Sequence, residues 1–149
     1  MTEYNWNGYI VQVDKETTRA LYEEDCAWNC PCPECQNFVA AVEHLPQELL
    51  DILKELGISP EKPVDVCDYN AEQKRVYYSI CYSIVGRLVS SPQRDDNAES
   101  YGIHCYEALS PFTVGFPTPY FDLVYSGWLP WVLDEPMSPH WLLWMKNKE

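Results

Sequence analysis

Apolar and polar positions alternate through residues 8–13, GYIVQV, and the apolar ones are β-branched or aromatic, which predicts a strand. RALYEE, residues 19–24, reads as its hairpin partner across the polar run DKETT. The period then changes. Cys35, Phe38, Val39, Val42 and Leu45 recur at the spacing of one helix face. Pro33 suits the first helical turn, where its missing N–H has no bond to lose, and Cys32 falls near the N-cap. Pro46 ends that helix or starts the next, because the residue before a proline is biased away from helical geometry. In PQELLDILKELGISPEKP a second stripe runs through Leu49, Leu50, Leu53 and Leu56. Gly57 is placed for a left-handed C-terminal residue, with Pro60 just beyond. A helical hairpin over about residues 33–57 follows.

From Pro63 the pattern turns to strands: VDVCDY, then KRVYYSICYSIVGRLV with Gly86 marking a bulge or bend. The polar run SSPQRDDNAES, residues 90–100, reads as a loop. YGIHCYEAL and PYFDLVYSGWL supply further strands, separated by the proline-rich SPFTVGFPTP. No repeat or low-complexity segment interrupts the chain. Strands interrupted by one helical pair predict an α+β fold: a single domain over 1–149, with mainly antiparallel sheet covered by the helical hairpin.

Composition agrees with one domain, since 149 residues with 46% hydrophobic and 14% aromatic content can bury a substantial core. Trp128, Trp131, Trp141 and Trp144 crowd the C-terminal segment, and core packing is the expected use of such rings. The start MTEYNWNGYIVQVD lacks the basic and apolar run of a secretory signal, and no window reaches about 18 uninterrupted apolar residues. A cytoplasmic protein that neither spans nor binds a membrane is expected. The formal charge of −13 opposes nucleic acid and would attract a basic protein.

Seven cysteines, an odd number, argue for free thiols rather than a disulfide framework. Four of them lie within CAWNCPCPEC, residues 26–35. Thiolates are good zinc ligands, so Cys30, Cys32 and Cys35 form a candidate metal centre, with Cys26 or a histidine as the fourth ligand. His44, His104, Cys67 and Cys105 are the further candidates for a mixed site. Cys32-Pro33-Glu34-Cys35 alone reads as a redox pair at a helix N-terminus, where the dipole favours the thiolate; the nearby acidic residues oppose it. The third reading is packing. Cys35 shares the face of Phe38 and Val42, Cys32 is explained by capping, and Cys67, Cys81 and Cys105 fall in strands. Periodicity and capping favour this separate explanation for each thiol. The chain has no nucleophile elbow, P-loop, dinucleotide fingerprint or H-E-x-x-H motif, so no catalytic residue is assigned.

The run CPCPECQNFVAAVEHLPQELLDILKELGISPEKPVDV, the strand ending YSIVG and the block GFPTPYFDLVYSGWLPWVLDEP resemble an uncharacterised family of small acidic proteins from Firmicutes-type bacteria. The resemblance covers nearly the whole chain. It implies a one-domain bacterial cytoplasmic protein and carries no activity, cofactor or catalytic residue. Two functional expectations stand. One is a non-enzymatic binding or accessory module, immunity- or inhibitor-like toward a basic partner; the other is a zinc-binding or thiol-redox protein centred on the cysteines.

Overall fold

The computed structural model describes residues 1–24, 30–72, 74–93, 102–107 and 117–134. Cys26, His140, Trp141, Trp144 and the greater part of both predicted loops, 94–100 and 110–116, lie outside the described residues.

The opening hairpin exists with a different partner. β1 (Thr2–Trp6) pairs antiparallel with β2 (Tyr9–Val13) across Asn7 and Gly8, both at positive φ (55° and 92°), and the Gly8 N–H donates to Asn5 Oδ1 at 2.9 Å. Asn-Gly is the pair that a two-residue hairpin of this hand favours. The expected strand at RALYEE is instead helical: α1 spans Lys15–Glu23. Asp14 caps it, accepting the Thr17 N–H at 3.0 Å, and the buried residues Thr18 and Tyr22 stand four apart on one face. Their side chains bind strand backbone: Val85 N–H donates to Thr18 Oγ1 at 3.1 Å, and Tyr22 Oη donates to the Ser83 carbonyl at 2.8 Å.

α2 (Pro33–Ala40), a single 3₁₀ turn (Val42–His44) and α3 (Gln47–Leu56) form the expected helical pair. The buried face of α2 runs through Glu34, Cys35, Asn37 and Phe38, so Val39, read from sequence as an inward residue, is exposed; Ala41 and Leu45, either side of the 3₁₀ turn, are buried. In α3 the inward set is Leu49, Ile52, Leu53 and Leu56, with Leu50 only half-buried. α3 ends at Gly57, φ 73°, with Ile58 N–H bonded to the Leu53 carbonyl at 2.8 Å and Gly57 N–H to that of Lys54 at 3.1 Å. This closes the last turn with a residue that has no Cβ to clash.

β3 (Asp65–Glu72), β4 (Arg75–Ser90), β5 (Gly102–Glu107) and β6 (Tyr120–Pro130) complete a six-stranded antiparallel sheet in the order β1-β2-β4-β6-β5. β4 organises it. Its first half pairs with β3, its second half with β2, and its other edge with β6 from Arg75↔Pro130 to Val85↔Tyr120. At the change of partner stands Gly86, φ 147°, where a Cβ would collide with the Gln12 carbonyl oxygen. Only glycine allows β2 to approach there.

Alternation along β4 and β6 sends Val76, Tyr78, Ile80, Tyr82, Ile84, Phe121, Leu123, Tyr125 and Leu129 into one contiguous apolar cluster with Phe38, Leu49, Leu53 and Leu56. The fold is α+β, as the sequence predicts. Trp131 packs against this cluster. Trp128 does not: it pairs with Tyr77, which lies on the opposite strand face from Tyr78, and holds the Arg75 guanidinium 4.2 Å from its ring centre. No helix among the described residues is long and apolar enough to cross a membrane.

Candidate metal centre

Local chemistry builds the start of α2. Pro33 occupies its first turn, and Cys32, in an extended conformation (φ −63°, ψ 151°), is the N-cap, its sulphur accepting the Cys35 N–H at 3.4 Å. Cys30 is folded back over this turn because Gln36 Nε2 donates to its carbonyl oxygen at 2.9 Å. The three sulphur atoms consequently converge, all lying within 4.8 Å of one another. The sequence favoured separate explanations for these thiols, and here the structure differs: capping and helical spacing place Cys32 and Cys35, and the Gln36 bond to Cys30 adds the third sulphur to the same point.

Cys35 is 5% exposed and is not a member of the contiguous apolar cluster. Cys30 and Cys32 are half-buried. All six described cysteines are free thiols.

The bonds that hold this turn in place do not use sulphur. Tyr78 Oη, fully buried on β4, donates to the Glu34 carbonyl at 2.6 Å. Asn37, also fully buried, donates through Nδ2 to Tyr78 Oη at 3.2 Å and to the Pro130 carbonyl at 3.1 Å, and its Oδ1 accepts the Val132 N–H at 2.7 Å. The helix start is thus fastened to β4 and to the end of β6. Asn37 and Tyr78 are positioning residues that the sequence reading did not single out. The signal was a buried-face asparagine one position before Phe38 in an apolar helix, which packing alone does not explain.

The electrostatics differ among the three thiols. Cys30 is held below its ordinary pKa, first because its sulphur accepts the Cys32 N–H and then by the Cys32 and Cys35 thiols, with the charge of Asp68 opposing. Burial raises Cys32, and burial, reinforced by both neighbouring thiols, raises Cys35 strongly. Asp68, on β3, stands opposite Tyr78 in the β3–β4 register, so the sheet carries a carboxylate toward this end of α2.

The other sequence candidates are elsewhere. His44 follows α2 at the surface, 3.7 Å from Glu43, and His104 on β5 shares a 2.9 Å hydrogen bond with Tyr9 Oη. Neither histidine belongs to the cysteine group. Cys67 contacts Asp65 on β3, and Cys105 is buried in the apolar cluster. Cys26 lies outside the described residues.

No known family model matches the chain, and no curated protein or solved structure is significantly similar to it.

Proposed function

We propose that this chain is a non-enzymatic binding module that holds a zinc ion through Cys30, Cys32 and Cys35. The observation that carries the reading is the convergence of three sulphurs within 4.8 Å at a helix start fixed by bonds that leave those sulphurs available. Zinc binds thiolates at about 2.3 Å, which sets tetrahedral sulphurs about 3.8 Å apart, so inward shifts of about an ångström or less bring the three to ligating distance, and a tetrahedral ion takes its fourth ligand from outside this group. Soft thiolates select zinc or another thiophilic ion over magnesium or calcium. A cytoplasmic setting belongs to this reading, because a reducing compartment keeps the ligands as thiols.

Elemental analysis of protein purified without chelator tests it. About one zinc per chain is expected, with cobalt(II) replacement giving thiolate charge-transfer absorption; less than about a tenth of an ion per chain sinks the reading. The immunity- or inhibitor-like form of the module, with a basic protein as partner, draws on the net charge of −13. A pull-down from the native host at low and high salt tests that form, with salt-sensitive recovery of a basic protein expected.

A further inference from the structure

We infer that the same three sulphurs form a redox-gated site: a hydroperoxide closes a disulfide between Cys32 and Cys35 and so expels the ion, an inference that rests on the metal reading above. Spacing selects the pair. Residues three apart on a helical turn have Cα atoms about 5 Å apart, inside the range of about 4.4–6.8 Å that a disulfide needs. The Cys32 and Cys35 sulphurs already lie within 4.8 Å, and the Cys35 N–H points at the Cys32 sulphur. Access orders the events. Cys30 and Cys32 are both half-buried and reachable, but only Cys32 has Cys35 three residues on along the helical turn; Cys35, 5% exposed, meets oxidised sulphur rather than oxidant.

The chemistry balances in two displacements. The Cys32 thiolate attacks one peroxide oxygen, forming an S–O bond as the O–O bond breaks and hydroxide leaves. Cys35 then attacks that sulphur, an S–S bond forms, the S–O bond breaks, and a second hydroxide leaves. Two thiolates, one peroxide and two protons become one disulfide and two waters; the sulphurs lose two electrons and the peroxide gains them. Cys30 alone cannot hold the ion, which departs as the free dication.

The frame makes this reversible. The bonds from Tyr78 to Glu34 and from Asn37 to Pro130 and Val132 contain no sulphur, so α2 stays docked whether the thiols are metal-bound or joined.

The test uses the full chain, reduced, loaded with zinc and desalted, then treated with hydrogen peroxide. Released zinc is followed with a chromogenic chelator, and linkages are mapped by mass spectrometry after alkylation. Expected are one zinc released per disulfide formed, a Cys32–Cys35 linkage, an alkylated Cys30, and recovery of binding after a dithiol reductant. Cys30→Ser should keep the linkage, and Cys32→Ser and Cys35→Ser should each abolish it. Zinc retained after peroxide, a disulfide that includes Cys30, or sulfinic acid at Cys32 in place of a linkage would overturn the gating. A reduced chain that takes up no zinc fails earlier, before any oxidant is added, and that result strikes the metal reading instead.

Discussion

Two helix starts in this chain perform the same backbone task with different atoms. At α1 the Asp14 carboxylate accepts the Thr17 N–H at 3.0 Å and the Thr17 hydroxyl at 2.8 Å, a full oxygen cap, and β4 adds to it through the Asp14 N–H on the Val85 carbonyl at 2.9 Å and the Val85 N–H on Thr18 Oγ1 at 3.1 Å. At α2 the cap is a thiol, accepting the Cys35 N–H at 3.4 Å, and sulphur is a weak acceptor. What the sulphur does not supply, the sheet does: Tyr78 and Asn37 clamp the first turns of α2. The comparison teaches that Cys32 is a poor choice for capping alone. In the proposed zinc reading, ligation alongside the two neighbouring thiols gives the sulphur its second use.

The comparison can be broken most sharply at the sulphurs themselves. Cys35→Ser should lower zinc affinity by on the order of 100-fold or more while the chain stays folded, measured by chelator competition alongside circular dichroism. Unchanged affinity would remove the metal from the argument. Asn37→Ala tests the clamp. It takes the Nδ2 donor from the buried Tyr78 hydroxyl and from the half-buried Pro130 carbonyl, and the acceptor from the Val132 N–H, so stability should fall by roughly 1–3 kcal/mol in urea unfolding, with metal affinity falling as well.

Cys32→Asp makes the two starts alike. Metal-free protein should gain roughly 0.5 kcal/mol from the stronger cap while zinc affinity drops, an opposition that a thiol serving only to cap or pack would not produce. The smallest effect is at the reference start. The Thr17 N–H, then its hydroxyl, lowers the Asp14 pKa, so this carboxylate adds stability above its ordinary range that is lost as pH falls through the lowered folded value. Asp14→Asn keeps an acceptor but cannot titrate, and should flatten that part of the stability profile between about pH 2 and 5.

The fold class, the helical pair and its Gly57 end were legible because each is written in local spacing: apolar residues at 3.6 or 2 positions and a glycine where φ must be positive. The first hairpin was misplaced: its turn is Asn7-Gly8, but the longer polar run DKETT imitates a turn. What it holds is the Asp14 cap and first turn of α1, and the strand-like RALYEE that follows is helical with Thr18 and Tyr22 inward. Val39 illustrates the limit of periodicity, since the buried face of α2 runs through Glu34, Cys35, Asn37 and Phe38 and polar residues share it, leaving Val39 outside.

By itself the sequence determined the helix start at Cys32-Pro33, because capping and proline geometry act within four residues. It also determined that three thiols would be close along the chain. Only the tertiary structure decided that they converge and stay converged. The restraints that do this come from Gln36 reaching back to Cys30 and from Tyr78 and Pro130, 44 and 93 positions away from their partners on α2. Contacts at such separations depend on the register of β4 against β6, which is set by the buried face of the whole sheet and not by any local pattern.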